Sequence, residues 1–136
     1  MKKINYLNSK SFKLQNNIIK SVSVYLQREG YRVTAKHINH PNGCPKNLNG
    51  FVPDIHAIKN FENIIVEVQT SKKMIFQNEL KMKRFSYSGN RFWLVVPPEC
   101  YEIAQMRKKA FNIPVEIYCN DMNQNFSIES DRINSK

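Results

Sequence analysis

Two acidic residues inside apolar segments are the first feature of the sequence that could do chemistry. Asp54 follows Pro53, and Glu67 lies within the apolar run 64–68. A carboxylate in such a strand is costly to bury unless it is paired or binds a metal ion. Side chains alternate along a strand, so Glu67 and Gln69 share one face. A short hairpin between the two segments would place Asp54 beside Glu67 on the neighbouring strand.

Adjacent carboxylates of this kind form a site for a hard divalent cation. The two groups repel, and one would keep its proton unless a cation neutralised the pair. Mg²⁺ takes one or two protein carboxylates and completes its shell with water and phosphate oxygens. Such an ion polarises a phosphodiester and lowers the pKa of an attacking water. We therefore predict a magnesium site at Asp54 and Glu67, with Mn²⁺ as a substitute.

The elements that must position these residues follow from the spacing of apolar side chains. The sequence predicts a helix over 12–29, strands over 31–38, 51–58 and 62–70, a helix over 72–87, a strand over 91–96, a helix over 99–111 and a strand over 115–119. A meander followed by a strand–helix–strand crossover gives an α/β fold with a central mixed sheet flanked by helices. The length of 136 residues suits a single domain, with loose tails expected at 1–10 and 122–136.

The charge balance predicts a polyanionic partner. The chain has 21 Lys and Arg residues against 11 Asp and Glu, a net charge of +10. Nucleic acid is the most common partner of such a basic protein. Since no base-reading motif is visible, we expect recognition of phosphates and shape. The basic residues near the candidate site, which we predict to contact DNA, are Lys46, Lys59, Lys72, Lys73, Lys81 and Arg84.

The signature around the two acids resembles that of a known enzyme superfamily. Pro53-Asp54, a gap of 12 residues and then Glu67-Val68-Gln69 resemble the motif of the PD-(D/E)XK nucleases, which include restriction endonucleases and archaeal Holliday-junction resolvases. The predicted element order over roughly residues 12–119 also resembles that superfamily. In size and in its Pro-Asp-Ile segment the chain is most similar to the resolvase-like branch. The resemblance implies a restriction-endonuclease-like fold and a metal-dependent DNA endonuclease, and it favours branched DNA cut by a homodimer.

The resemblance also implies roles for individual residues. Asp54 and Glu67 would bind the metal ion, and the main-chain carbonyl of Val68 would complete the coordination. Gln69 would act with them as the third catalytic residue by placing the attacking water. His56 lies two positions from Asp54 and shares its face, so it is a candidate to contact metal-bound water or a phosphate. A half-buried histidine without such a role is the more common case.

The sequence departs from the superfamily pattern at two places. Gln69 occupies the position where the family usually has Lys, and an amide can orient water but carries no charge. Nearby lysines that could supply the charge are Lys72, Lys73, Lys81 and Lys83. The family often has a Glu on the first helix, whereas the interior of the helix predicted here offers only Gln15, Asn16 and Asn17.

These departures keep other functions open. One is a catalytically weak or inactive nuclease-fold protein that still binds DNA, and another is an interaction module whose basic surface meets an acidic protein. In the simplest reading, Asp54 caps a turn and Glu67 pairs with a surface lysine. The three cysteines are odd in number and widely spaced, which fits a reducing cytoplasm. No stretch approaches the ~18 apolar residues of a membrane span, and we expect no membrane partner.

Overall fold

A five-stranded mixed sheet forms the centre of the structure, with helices on both faces. The computed structural model describes residues 10–87, 90–121 and 125–128. In chain order its elements are α1 (Lys10–Arg28), β1 (Arg32–Ala35), β2 (Ile55–Lys59), β3 (Glu62–Val68), α2 (Lys72–Gln77), α3 (Glu79–Ser86), β4 (Arg91–Val96), a 3₁₀ turn (Pro98–Cys100), α4 (Tyr101–Phe111) and β5 (Glu116–Cys119). The expected α/β class, a mixed sheet between helices, is confirmed.

The strand directions bring several chain ends to one edge of the sheet. The strands lie in the order β1-β2-β3-β4-β5; β2 is antiparallel to both β1 and β3, whereas β3, β4 and β5 are parallel. Ala35 pairs with Ile55, Ile55 with Val66, and Val68 with Val95. The last residues of β1, β3, β4 and β5 therefore lie at the same edge as the first residue of β2. We call this the C-terminal edge.

The side chains of the sheet alternate between two separate apolar layers. Ile64, Val66 and Val68 of β3 pack with α1 in one layer, and Ile65 packs under α2, α3 and α4 in the other. All residues of β4 after Arg91 are buried, as predicted for a strand covered on both faces. Within the described part of the chain, no helix is both long and apolar enough to cross a membrane.

Several element boundaries differ from prediction for identifiable local reasons. The helix predicted over 72–87 breaks at Asn78, whose side-chain amide donates to the Met74 carbonyl at 2.7 Å. Such local side-chain bonds compete with helix continuation. The first strand ends at Ala35, since His37 has a φ of 75° in the left-handed region. The second strand begins only at Ile55, so that Asp54 sits at the entry to β2.

The prediction of a loose C-terminal tail is wrong for residues 125–128. Phe126 and Ile128 are buried in the α1 layer, and the Phe126 N–H donates to Ser21 Oγ at 2.8 Å. The Phe126 ring lies 5.2 Å from the ring of Tyr25. Its ring also lies 6.2 Å from Trp93 of β4 and 6.1 Å from Tyr118 of β5, so this short segment fills the layer between α1 and the sheet. The remaining tail residues, 1–9, 122–124 and 129–136, lie outside the described residues, and Lys10 already belongs to α1.

Candidate metal centre

Asp54 and Glu67 face each other at the C-terminal edge. Ile55 pairs with Val66 in antiparallel strands, so Asp54, just before β2, lies opposite Glu67 of β3. Because Val66 and Val68 point into the α1 layer, Glu67 points to the opposite face, toward α3. Both carboxylates are 1% exposed. We call Asp54 and Glu67 the carboxylate pair.

One oxygen of each carboxylate is held by the backbone of the other strand. Glu67 Oε2 accepts the Asp54 N–H at 2.9 Å, and Asp54 Oδ2 accepts the Val68 N–H at 2.8 Å. These two bonds extend the β2–β3 pairing by means of side chains. Charge-assisted bonds of this type are stronger than neutral ones. They fix both side chains in one orientation, and we call Oδ2 and Oε2 the inner oxygens.

The two remaining oxygens, the outer oxygens, each face a lysine. Lys81 Nζ of α3 lies 2.8 Å from Glu67 Oε1, and Lys36 Nζ lies 3.4 Å from Asp54 Oδ1. Lys36 immediately follows β1 and also donates to the Val52 carbonyl at 3.1 Å. The lysine side chains are 23% exposed for Lys36 and 20% for Lys81. The two ammonium groups therefore stand between the buried carboxylate pair and solvent.

The electrostatics of the pair favour an added positive charge. Burial and, second, the charge of Asp54 raise the pKa of Glu67 to about 8, although Lys81 and the backbone bond of Asp54 act against them. Burial by itself would lower the pKa of Lys81, but the adjacent Glu67 and Asp54 outweigh it and the pKa is raised. Burial and the neighbouring carboxylate disfavour the ionised form of Glu67, and a divalent cation bound there would stabilise that form.

The oxygen donors at this position fit one hard cation. In a strand the N–H and C=O of one residue point to the same neighbour, so the Val68 carbonyl is directed toward β2 and Asp54. Gln15 of α1 donates its amide N–H to that carbonyl at 3.2 Å, leaving one lone pair. No group of three or more His, Cys, Asp or Glu side chains forms within the described ranges. Two carboxylates and one carbonyl suit Mg²⁺, which takes its other ligands from water and phosphate.

Gln69 shares the face of Glu67 but is engaged elsewhere. It is 1% exposed, and its amide N–H donates to the Met82 sulfur of α3 at 3.7 Å. Its carbonyl oxygen is buried and finds no hydrogen-bond partner among the described residues. A buried amide oxygen without a partner costs free energy. The Gln69 oxygen is thus available to a donor such as water.

His56 also lies on this face, two residues further along β2 and opposite Ile65. It is half-buried, and burial lowers the pKa of its imidazole, although a bond to Asn63 acts the other way. Its Nε2 has no hydrogen-bond partner in the described part of the protein. A lowered pKa keeps the ring neutral near pH 7, so it is suited to accept or donate one bond to water.

The predicted DNA contacts fall into two groups in the structure. Lys72 and Lys73 are exposed in the first turn of α2, directly after β3, and Lys46 is exposed in the loop between β1 and β2. Lys59, which we predicted to lie near the candidate site, lies at the other end of β2. At 3.4 Å per residue it is about 17 Å from Asp54. Its ammonium group donates to the Glu29 carbonyl at 2.8 Å.

Arg84 anchors the long loop between β1 and β2. Its guanidinium donates to the Asn49 carbonyl at 3.2 Å, and the Asn49 side chain donates back to the Arg84 carbonyl at 3.3 Å. The guanidinium also lies 5.6 Å from the ring centre of Phe51. Arg84 is therefore a structural residue one helical turn beyond Lys81, and its predicted contact with DNA has to compete with these bonds.

The sequence did not indicate two contacts of the site, that of Lys36 with Asp54 and that of Gln15 with Val68. The alternation of β1 puts Val33 and Ala35 in the core and so places Lys36 on the face of Asp54. Only the register between β1 and β2 brings it to Asp54, because Ala35 pairs with Ile55.

Comparisons with known proteins add little to this geometry. No family model matches the chain, and no curated protein matches it. Among solved structures, the chain is similar to the crystal structure of AF1548, described as a protein of unknown function, with a TM-score of 0.45 and 11% sequence identity. The match covers 74% of this chain and 56% of that chain. At this level of similarity no function is carried over.

Proposed function

We propose that this chain is a metal-dependent DNA endonuclease with a restriction-endonuclease-like core, and that Asp54 and Glu67 hold Mg²⁺. The observation that carries the proposal is the carboxylate pair itself. Both groups are 1% exposed, lie on adjacent strands, and are oriented by each other's backbone. When bound there, Mg²⁺ would polarise a phosphodiester and lower the pKa of a water molecule.

The chain's own groups divide the remaining tasks. The outer oxygens and the Val68 carbonyl would hold the cation, and the backbone bonds of the inner oxygens fix the orientation of the two carboxylates. Lys81 supplies the positive charge that Gln69 lacks, because its ammonium lies 2.8 Å from Glu67 and reaches solvent. An ammonium group at this mouth of the site would stabilise negative charge that develops on a phosphate oxygen. The unpartnered oxygen of Gln69 can accept a bond from the attacking water.

The proposed substrate is DNA, recognised through its phosphates. The net charge of +10 favours a polyanion, and Lys46, Lys72 and Lys73 are exposed around the C-terminal edge. Phosphate contacts of this kind position a duplex without reading its sequence. Branched DNA and action as a homodimer remain part of the proposal through the resemblance to resolvases.

A catalytically inactive DNA-binding protein is the second candidate, and four contacts favour it. Gln69 bonds to Met82, an amide of Gln15 rather than a carboxylate contacts Val68, and both carboxylates already have lysine partners. In that case the fold and its basic edge would persist without hydrolysis. DNA binding would then survive the substitution Asp54→Asn, and Mg²⁺ would not change it.

Cleavage assays separate the two candidates. The wild type is incubated with junction, flap, single-stranded and duplex DNA in Mg²⁺ or Mn²⁺, beside Asp54→Asn and Glu67→Gln. We expect cutting by the wild type and a loss of at least about 100-fold in either variant, as for groups that act only in the transition state. The matched control is Glu79→Gln, which removes an acid that pairs with Lys83 and Arg107 away from the site. If the wild type cuts none of these substrates, the endonuclease is excluded.

A further inference from the structure

The two lysines at the carboxylate pair occupy the positions through which a cation must enter. The inner oxygens are bound to the N–H groups of Asp54 and Val68, which extend the β2–β3 pairing. They cannot turn outward without breaking that pairing. Only the outer oxygens are free to change partners, and each of them now faces an ammonium group, of Lys36 or of Lys81.

Charge balance makes the ammonium groups and a divalent ion alternatives. With both carboxylates ionised, the two carboxylates and the two lysines sum to zero net charge. A divalent cation added to all four groups would leave two uncompensated positive charges in a buried place, which is strongly unfavourable. If the two ammonium groups leave as the ion enters, the site stays neutral throughout.

The side chains of both lysines can leave without moving the backbone. Each ammonium sits on a flexible four-carbon stem, and the lysines are 20–23% exposed while the carboxylates beneath them are buried. Lys36 gives up its bond to the Val52 carbonyl as well. Once displaced, both ammonium groups remain at the mouth of the site, where a phosphate anion would attract them.

We propose that Lys36 and Lys81 are displaceable counter-ions: they hold the two buried carboxylates ready until a divalent cation replaces them, and they then turn to the phosphate of the substrate. The inference rests on the proposed function, since it concerns the same metal site. It adds Lys36, which no motif marks, as a positioning residue. It also predicts that the lysines compete with the metal, so removing either one tightens metal binding.

Calorimetric titration of Mg²⁺ into full-length protein tests this competition. Lys36→Met and Lys81→Met remove the charge but keep the length of the stem. The titration is repeated at increasing pH until the affinity no longer changes, because Lys81 lowers the pKa of Glu67 and its loss lets a proton compete with the metal. We expect Mg²⁺ to bind about tenfold more tightly to each variant than to wild type, as removal of a nearby like charge predicts.

The matched control is Lys83→Met on the same helix. Lys83 pairs with Glu79 in an i,i+4 bridge that is about one-third exposed, so its loss changes the net charge equally but leaves the carboxylate pair untouched. Its Mg²⁺ affinity should stay within about twofold of wild type, because exposed charges are screened. A parallel thermal melt should show that Mg²⁺ raises the Tm of Lys36→Met and Lys81→Met more than that of wild type.

The outcomes of the titration are distinct. Tighter binding in the two site variants but not in Lys83→Met supports the proposal. Equal or weaker binding in Lys36→Met, while wild type binds, overturns it and leaves the endonuclease standing. If neither wild type nor any variant binds Mg²⁺, the metal site itself fails and the inference falls with it. Should Lys81→Met not fold, Lys36→Met decides alone.

Discussion

Replacing Glu67 by Gln should change how the stability of the protein depends on pH. The pKa of Glu67 rises on folding from 4.5 to about 8, mainly because the side chain is buried and secondly because Asp54 lies beside it. A carboxyl group with a raised pKa binds its proton more tightly in the folded state. Its contribution to stability is therefore complete at low pH and is lost as the pH rises through that interval.

The size of this loss follows from the two pKa values. At about 1.4 kcal/mol per pH unit, a rise from 4.5 to about 8 corresponds to at most about 5 kcal/mol. Entry of water and movement of Lys81 reduce it, so we expect about 2–5 kcal/mol. Glu67→Gln keeps the shape of the side chain but cannot ionise. Relative to wild type, the variant should therefore become more stable by this amount between about pH 5 and pH 9.

Urea denaturation in EDTA at a series of pH values measures the difference. Burial lowers the pKa of His37 and His56, which makes stability rise with pH below about 6.5. Both proteins contain these histidines, so their contribution cancels in the comparison. A difference between wild type and Glu67→Gln that is independent of pH would refute the placement of an ionised Glu67 in a buried, like-charged setting.

Millimolar Mg²⁺ extends the same experiment to the metal site. An ion bound to the carboxylate pair competes with the proton on Glu67 and stabilises the folded state more as the pH rises. Wild type in Mg²⁺ should lose much less stability toward high pH, whereas Glu67→Gln should respond little. If Mg²⁺ leaves the wild-type profile unchanged, the pair is not a magnesium site at these concentrations.

Two further predictions concern the C-terminal segment and the basic edge. Phe126→Ala should lower the free energy of unfolding by about 3 kcal/mol in urea titrations, because the ring is buried. Phe61→Ala is the control and should have almost no effect, because Phe61 is fully exposed. A loss below about 1 kcal/mol for Phe126→Ala would contradict the packing. Lys72→Met should lower the slope of log K against log salt concentration for DNA binding by about one, whereas Lys59→Met should leave it unchanged. Gel shifts at two salt concentrations measure this slope. Equal effects of the two substitutions would contradict the placement of Lys59 at the far end of β2.

The sequence was sufficient for the layers of the fold and for the meeting of the two acids. The dense apolar run of β4 and the alternation around Glu67 both depend on local burial, which a sequence pattern records directly. The helix break at Asn78 could not be predicted, because it depends on one side-chain bond to Met74 within an otherwise periodic segment. The burial of Phe126 could not be predicted for a related reason: its apolar environment comes from Tyr25, Trp93 and Tyr118, which are distant in the sequence or belong to other elements.

The contacts that were missed all depend on register or on distance in the chain. Lys36 reaches Asp54 because β1 pairs with β2 at one particular register, and a shift by one residue would turn it to the other face. Gln15 reaches Val68 across 53 residues of sequence. Lys59 is near Asp54 in sequence but far from it in space, because a strand extends the chain instead of folding it back.

The free energy of burying this arrangement bears on whether it has a function. Replacing buried ion pairs with apolar residues of similar volume is often neutral or stabilising, so a core selected for stability alone has little use for them. Here the two buried carboxylates interrupt a face that Ile65, Phe92 and Leu94 otherwise fill. Each acid also keeps one oxygen toward a lysine that reaches solvent. The outer oxygens are thus held by flexible side chains, whereas the inner oxygens are held by the backbone, and only the former arrangement allows a cation to replace a partner.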